Sequence, residues 1–353
     1  MGIPENINKI LVLQLGGIGD VVLSLPALKA LRARFKNADI SLLVIGRSAE
    51  LVRGCEYIDN LFTLNIRYTN LSGIFRKGVF SNLLKVMKEL RRNRFDLAIN
   101  LEDVSSFMGS IKMAVLLWVV RAGYSVGRNA HGRGFFFNLK VRDIDMMHER
   151  NANLNVIGAL GADIADSEVK FPLSEEDIKF VSDFLMQKGI SPGDFVIGFN
   201  PGAFRPSRKW FNERWADLAE ELIKEYKCKI VITGHSSEKD SMDKIIELNS
   251  RIIAAEGLSL KQLSALIKRF DLFITNDSGP MHIAAILKTP VIALFGPGDI
   301  NKFSPEYGGN KCYVVRKEAD CWRPCYRYDC RQRECMASIT VKDVLGAVRK
   351  VLK

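Results

Sequence analysis

The segment FDLFITNDSGPMHIAAILKTPVIALFGPG, Phe270–Gly298, decides the fold. Two mainly apolar runs, 271–275 and 291–295, stand on either side of a polar turn, 276–280, and a short amphipathic stretch, 281–287. A strand that is apolar throughout is typical of a parallel sheet with helices on both faces. The segment therefore predicts a strand, a helix and a second parallel strand, which together form a βαβ unit.

The turn after the first strand, Asn276-Asp277-Ser278-Gly279-Pro280, has the composition of an anion site. Ser278 can cap the helix, Pro280 suits its first turn, and Gly279 lets a ligand approach the backbone. Free N–H groups and the positive end of the helix dipole then favour a group such as a diphosphate. The alternative, that Asp277 and Ser278 only cap a helix, stays open on this segment alone.

Composition is typical of a soluble globular protein. A chain of 353 residues suggests two domains, and the hydrophobic content of 47% is enough for buried cores. The first residues lack the apolar region of a signal peptide, and the longest uninterrupted apolar run, Met113–Val120, is too short to span a bilayer. These features predict a cytoplasmic protein.

Positive charge is concentrated in one segment, residues 67–94. The formal net charge of the chain is +11, and this segment holds eight Lys and Arg residues against one acidic residue. Apolar residues interleave with these cations, which suits an anionic membrane surface or an anionic, lipid-linked substrate. A solvated helix with an ordinary core face is the alternative. The charge is not accompanied by a nucleic-acid motif, so we expect no nucleic-acid partner.

Strands and helices alternate along the chain. The first strand, predicted at Lys9–Leu15, ends in Gly16-Gly17-Ile18-Gly19-Asp20, and a second series of strands and helices begins near Phe195. This alternation predicts two doubly wound, Rossmann-like α/β domains, residues 1–171 and 172–337. Ligands of such folds bind beyond the carboxyl ends of the strands, so a cleft between the two domains is the expected site.

The first turn supplies a candidate catalytic base. Its GGIGD sequence lacks the spacing of a dinucleotide fingerprint, but Gly17 and Gly19 still permit the close approach of a ligand. Asp20 stands at a helix start, where the dipole favours its ionised form. An ionised carboxylate in a cleft can accept a proton from a sugar hydroxyl. A simple helix-start aspartate is the alternative.

The first turn of the second domain is rich in cations. After Ala203 come Arg205, Arg208 and Lys209, which could neutralise a diphosphate leaving group. A basic surface loop is the alternative. In the next turn, Ser236 and Glu238 open a helix, and an acidic residue there could hold ribose hydroxyls.

Two further features leave alternatives open. His282, on the first turn of the helix after Pro280, could donate a hydrogen bond to a phosphoryl oxygen or could be structural. Cys321, Cys325, Cys330 and Cys335 form a C-x3-C-x4-C-x4-C pattern, which is a weak metal signal. Zinc ligands, a disulfide pair and packed free thiols all remain possible readings of these cysteines.

Four pieces of the chain together resemble the heptosyltransferase family, glycosyltransferase family 9. They are GGIGD at 16–20, the NPGA…SRKW turn at 200–210, TNDSGPMHIA at 275–284, and the cysteine-containing loop before the last helix. The resemblance implies a GT-B fold, in which the first domain binds the acceptor, the second binds a nucleotide sugar, typically ADP-heptose, and the last helix, within 338–353, packs back on the first domain. It also implies inverting transfer to a lipopolysaccharide core oligosaccharide at the inner membrane.

The resemblance also assigns roles to residues. Asp20 matches the proposed general base, and Arg208 falls where relatives often carry Lys, so that either Arg208 or Lys209 could hold the diphosphate. Arg128 and Arg133 match a region that faces the anionic acceptor. Further residues match the donor-site turn: Asn276, Asp277, Ser278, Gly279 and His282.

An inverting displacement needs one base and a stabilised leaving group, and none of the strands predicted from the sequence ends in a D-x-D pair of the metal-binding kind. We therefore expect no metal and no cofactor. Two other functions remain as alternatives. One is another nucleotide-sugar enzyme on the same scaffold, such as an epimerase or a hydrolase. The other is a non-catalytic protein that binds anionic lipid.

Overall fold

The computed structural model describes residues 6–65, 79–104, 106–166, 168–307, 311–319, 321, 325, 327–328 and 330–353. The part of the predicted basic segment at 67–78 lies outside this range. The chain divides into two compact units, Met1–Pro172 and Leu173–Lys353. Among the described residues, no helix combines the length and the apolar character needed to cross a bilayer.

The first unit is a parallel α/β sheet with helices. In chain order its elements are β1 (Lys9–Gln14), α1 (Ile18–Arg34), β2 (Asp39–Ile45), α2 (Gly46–Val52), β3 (Asn60–Leu64), α3 (Val79–Asn93), β4 (Leu97–Asn100), α4 (Phe107–Val120), β5 (Tyr124–Arg128), β6 (Leu139–Val141) and α5 (Glu149–Gly158). The strand order is β3-β2-β1-β4-β5-β6, and all neighbours are parallel. Since the chain leaves β1 and β4 in opposite directions along the sheet, the switch point of this unit lies between those two strands.

The second unit repeats this arrangement. Its elements are α6 (Glu175–Gln187), β7 (Val196–Asn200), α7 (Asn212–Tyr226), β8 (Lys229–Thr233), α8 (Lys239–Leu248), β9 (Ile252–Ala255), α9 (Leu260–Arg269), β10 (Leu272–Asn276), α10 (Gly279–Ile286), β11 (Val291–Leu294), α11 (Ile300–Phe303), β12 (Cys312–Val315), α12 (Glu334–Ala337) and α13 (Val341–Val351). The parallel order is β12-β11-β10-β7-β8-β9. Its switch point lies between β7 and β10.

The predicted βαβ unit is confirmed as β10-α10-β11. Every residue of both strands is buried, as helices on both faces of the sheet require. Phe273 pairs with Val291 in the parallel register. The predicted class of fold, two doubly wound α/β units with parallel sheets, is therefore confirmed.

The last helix, α13, packs within the second unit, against α7 and β12. Its apolar face joins the core of that unit through Val344, Val348 and neighbouring residues. Arg349 pairs with Glu225 of α7 at 2.7 Å. Its apolar face therefore helps to cover the sheet of the second unit, and packing of this helix on the first unit stays a prediction.

The chain just before α13 is tied to the turn after β7 and to the start of α7. The indole N–H of Trp210 donates to the carbonyl of Ile339 at 2.9 Å. Nη1 of Arg214 donates to the carbonyls of Ala337, at 2.7 Å, and of Ile339. Trp210 is 2% exposed and packs edge-on against Trp215. The segment 337–339 therefore supports the residues that follow β7.

Candidate active site

Polar side chains at the ends of β7 and β10 form one buried network. Nδ2 of Asn200 donates to Oγ of Ser278 at 3.1 Å and to Oγ1 of Thr275 at 3.2 Å. Asn276 donates from Nδ2 to the carbonyl of Pro201 at 2.7 Å, and its Oδ1 accepts from the N–H of Trp210 at 3.3 Å. Both ends of the Asn276 amide are thus engaged by backbone groups of the turn after β7. This network holds the two turns together at the switch point.

Ser278 occupies the N-cap position of α10 but does not cap the helix with its side chain. Its hydroxyl instead contacts Asn200 and Thr275. The expectation that Ser278 caps this helix is therefore wrong, because the polar network behind the turn takes up its hydroxyl. Gly279 and Pro280 form the first turn, as predicted. A helix start without a side-chain cap can receive an anion.

Arg208 lies against Asp277 across this switch point. Nη1 of Arg208 is 2.9 Å from Oδ2 of Asp277, and the Asp277 side chain is only 4% exposed. Burial raises the pKa of Asp277, while Arg208 and Arg205 oppose that rise and Asp299 adds to it. Nε of Arg208 is buried and has no hydrogen-bond partner among the described residues. The guanidinium therefore retains a donor for a further group.

Gly298, which follows β11, makes room for this pair. A Cβ atom at position 298 would overlap Oδ2 of Asp277. Gly298 was not predicted as a site residue from the sequence. The GPG sequence at 296–298 could have indicated a close approach at this turn. It could not have identified Asp277 as the partner, because the two positions are 21 residues apart and no local pattern relates them.

Lys209 and Glu238 form a second ion pair beside the turn after β7. Nζ of Lys209 is 3.3 Å from Oε1 of Glu238, and Oε2 of Glu238 accepts from the N–H of His235 at 3.1 Å. A Cβ atom at Gly202 would overlap the Glu238 carboxylate, so this carboxylate lies against the Gly202-Ala203 turn. Ser236, in the same short 3₁₀ turn as Glu238, is exposed.

His282 lies on the buried side of α10 at 4% exposure. Its ring is parallel to the Tyr307 ring at 6.3 Å and edge-on to Phe303 at 6.4 Å. The Tyr307 hydroxyl donates to the carbonyl of His282 at 3.2 Å. His282 is thus surrounded by aromatic side chains, and a contact with phosphate stays a prediction.

The cysteine-containing region packs beside the same turns. The N–H of Cys325 donates to the carbonyl of Pro297 at 2.8 Å, and Oγ of Ser207 donates to the carbonyl of Arg327 at 2.9 Å. Arg333 donates to the carbonyl of Lys209 at 3.2 Å. All seven cysteines are free thiols, and the described residues contain no cluster of three or more His, Cys, Asp or Glu side chains able to hold a metal.

In the first unit, Asp20 follows β1 at the switch point. It is the third residue of α1, and its Oδ2 accepts from the N–H of Gly17 at 2.7 Å. Burial raises the pKa of Asp20 to about 6, and the nearby carboxylates Glu149 and Glu102 add to the rise. The Gly17 hydrogen bond and Arg128 act in the opposite direction. A carboxylate with this pKa is suited to act as a base near neutral pH.

Arg128 and Glu149 form a buried ion pair near Asp20. Nη1 of Arg128 donates to Oε2 of Glu149 at 3.1 Å, and Nη2 donates to Oε1 and to the carbonyl of Leu101. The side chains are 4% and 6% exposed. Nε of Arg128 has no hydrogen-bond partner among the described residues, and the expected contact of Arg128 with an anionic acceptor stays a prediction. Arg133, on the turn after β5, is half-buried.

Comparisons with known proteins identify a family and several relatives that this chain resembles. The family model described as glycosyltransferase family 9 (heptosyltransferase) matches residues 83–336. Lipopolysaccharide heptosyltransferase 3 of Escherichia coli K12 is 26% identical, and the alignment covers 95% of each chain. A glycosyltransferase family 9 structure from Veillonella parvula DSM 2008 has a TM-score of 0.81 and 24% identity, and it covers 100% of this chain and 98% of its own.

The structure of E. coli ADP-heptose lps heptosyltransferase II has a TM-score of 0.72 and 23% identity over 98% of both chains. These structural likenesses establish the GT-B fold. The family match extends over most of the chain and includes the turn at 276–280 and the cysteine-containing region. This protein therefore belongs to glycosyltransferase family 9, the heptosyltransferase family.

Proposed function

We propose that this protein is an inverting transferase that moves heptose from ADP-heptose to the inner-core oligosaccharide of lipopolysaccharide. The observation that carries the proposal is the start of α10, which has no side-chain cap and lies beside the Arg208–Asp277 pair. Such a site suits the diphosphate of a nucleotide sugar. The family membership and the heptosyltransferase relatives support heptose as the sugar.

The second unit is the proposed donor-binding part. The diphosphate would accept hydrogen bonds from the N–H groups at Ser278 and Gly279 and from Arg208. Glu238, which lies against Gly202 and is partly exposed, would accept hydrogen bonds from the ribose. As the bond to the sugar breaks, negative charge grows on the leaving ADP, and these groups stabilise it most strongly at that moment. The proposal assigns this task to protein groups and includes no metal.

The first unit is the proposed acceptor-binding part, with Asp20 as the general base. Its carboxylate would take the proton from the acceptor hydroxyl as that oxygen attacks the anomeric carbon from the side opposite to ADP, which inverts the configuration. Gly17 and Gly19 would leave room for the acceptor beside Asp20, and Arg133 would meet its anionic groups. The proposal requires the acceptor hydroxyl to reach both Asp20 and the donor sugar.

The donor class can be tested by thermal shift with ADP-, UDP-, GDP- and CMP-sugars. Selective stabilisation by ADP-heptose is expected, because a ligand that binds only the folded state raises the melting temperature. Transfer is then assayed with a lipopolysaccharide core acceptor lacking the added heptose. Release of ADP or a changed sugar in the absence of acceptor, at the rate found in its presence, would contradict a transferase and favour the hydrolase or epimerase.

The pH dependence of the reaction should reflect the ionisation of Asp20. Because the base must be ionised and its pKa is raised to about 6, kcat/KM should be constant above pH 7 and fall below pH 6. At pH 5 about one-tenth of Asp20 is ionised, so kcat/KM should be about tenfold below its plateau. Donor affinity measured over the same pH range is the control. A profile that stays flat to pH 5 would contradict the assignment.

Arg208 and Lys209 can be separated by matched substitutions. Arg208→Gln is expected to lower kcat/KM about a hundredfold, since it removes a cation from the leaving group. Lys209→Gln should have a smaller effect, because Lys209 is paired with the more exposed Glu238. Arg208→Lys keeps a cation beside Asp277 and serves as the control for folding. The reverse ranking of the two Gln variants would assign the diphosphate to Lys209.

The nature of the proposed acceptor also indicates where in the cell the protein acts. A lipopolysaccharide core under construction is attached to lipid, so the proposed place of action is the cytoplasmic face of the inner membrane, with peripheral contact. The cationic character of α3, whose described range includes Lys85, Lys88, Arg91 and Arg92, supports contact with an anionic surface.

A further inference from the structure

The outer face of α4 is apolar and exposed. Phe107, Met108, Ile111, Val115 and Trp118 recur at helical spacing, and we name this set the α4 ridge. Phe107 is 69% exposed and Trp118 is 68% exposed, while the opposite face of α4 is buried at Met113 and Val120. Exposed apolar side chains that line one face of a helix mark an interaction surface more often than isolated ones do.

The ridge continues toward the turn after β5. Trp118 borders a cavity of about 240 Å³ that is also lined by Ala114, Leu117 and Phe136. Phe136 packs edge-on against Phe135, which is itself 57% exposed. Aromatic side chains at this density are typical of the boundary between water and lipid.

Cations flank the ridge on the neighbouring helix. α3 packs against α4, and Val86 and Leu90 of α3 share a core with Met113 and Val120 of α4. The exposed face of α3 carries Lys85, Lys88, Arg91 and Arg92. Glu89 is the one acidic residue of α3 and α4 together. The α4 ridge and the cationic face of α3 are both exposed to solvent. Because the two helices are in contact, apolar and cationic groups lie next to each other on the surface.

We infer that the α4 ridge inserts into the surface of an anionic bilayer while the α3 cations contact lipid headgroups. Apolar side chains enter the boundary of headgroups and acyl chains, and each nearby Lys or Arg adds attraction to anionic lipid. A second copy of the chain fits less well. A twofold interface through the ridge brings the α3 cations of both copies together, with few acidic partners. The inference rests on the proposed peripheral contact and specifies the surface that makes it.

Binding of the full-length protein to vesicles tests this inference. The vesicles contain phosphatidylcholine alone or with about 30 mol% phosphatidylglycerol, and binding is measured by flotation. The ridge variant is Ile111→Ser/Val115→Ser/Trp118→Ser. Its matched control is Ile178→Ser/Met186→Ser/Leu248→Ser, which changes exposed apolar residues of the second unit. The charge variant is Lys85→Gln/Lys88→Gln/Arg91→Gln/Arg92→Gln.

The wild type and the matched control should bind anionic vesicles, and the ridge variant should bind at least about tenfold more weakly. The charge variant should lose the preference for anionic lipid. Brominated lipid should quench fluorescence in the wild type more than in Trp118→Phe, which keeps the other three tryptophans. Transfer to a water-soluble, delipidated acceptor should be unchanged in the ridge variant, which separates this inference from the proposed reaction.

Three results would overturn the inference. The first is a ridge variant that binds vesicles like the wild type. The second is a wild type that binds without quenching of Trp118. The third is a wild type that does not bind anionic vesicles; dimers that the ridge variant separates in light scattering would then assign the ridge to a second copy of the chain.

Discussion

Asp20→Asn is expected to lower kcat for heptosyl transfer about 10³-fold and to leave the affinity for ADP-heptose unchanged. The amide keeps the size of the side chain and can still accept the hydrogen bond from the Gly17 N–H, but it cannot take a proton from the acceptor. Transfer is measured by ADP release with saturating acceptor, and donor binding by calorimetry. Turnover near the wild-type rate would show that another group is the base.

The same variant should be more stable than the wild type at pH 8. The pKa of Asp20 is raised on folding to about 6, so the ionised form is disfavoured in the folded state. Above pH 6 the wild type bears this cost, and Asn removes it, which should raise the free energy of unfolding by about 1–3 kcal/mol. The difference should shrink as the pH falls toward 4, where Asp20 is protonated in the folded state.

Urea denaturation at pH 8 and at pH 4.5 measures the difference in the free energy of unfolding between Asp20→Asn and the wild type. Asp145→Asn, at an exposed position, is the matched control and should change stability little at either pH. An Asp20→Asn protein that is less stable than the wild type at pH 8 would contradict the assigned burial of a charge. A substitution that raises stability and abolishes turnover is typical of a catalytic residue.

Arg128→Met is expected to lower the free energy of unfolding by about 3–5 kcal/mol, the largest stability effect foreseen for this chain. The substitution leaves the Glu149 carboxylate buried without its partner. Arg128→Met/Glu149→Gln should recover part of the loss, because no buried charge then remains. Arg142→Met, at an exposed position of the same unit, is the control.

Equilibrium urea unfolding gives these values, and acceptor affinity is measured on the same proteins. A loss below about 1 kcal/mol for Arg128→Met would mean that the pair is not the buried element described above. If acceptor binding alone failed while stability held, Arg128 would face the acceptor, as the family resemblance implies. The double variant distinguishes the two cases, since Gln at position 149 cannot restore a contact with the acceptor.

The overall fold could be predicted from the sequence because parallel strands buried on both faces are nearly uniform in hydrophobicity. The β10-α10-β11 unit satisfies this rule, since every residue of both strands is buried. Strands β5, β6 and β12 were not predicted. They are short and lie toward the edges of their sheets, where polar residues such as Arg128 and Lys140 interrupt the pattern.

The candidate site could be located from the sequence but not resolved in detail. The turns after β1, β7 and β10 were identified because small and charged residues follow apolar runs there. The partners of those residues could not be identified, because each contact joins positions far apart in the chain. Arg128 meets Glu149, Ser278 meets Asn200, and Gly298 makes room for Asp277. Contacts between residues far apart in the chain produce no periodic pattern in a single sequence.

The bond from the Trp210 indole to the Ile339 carbonyl affects how a mutational scan of this enzyme should be interpreted. Residues 337–339 accept hydrogen bonds from Trp210 and Arg214, next to the turn that carries Arg208. Under the proposed function, substitutions in this segment should weaken donor binding although no side chain there contacts the donor. A drop in affinity alone therefore does not identify a contact residue. To assign a contact residue, spectroscopy or calorimetry must also show that the variant keeps the packing between Trp210 and residues 337–339.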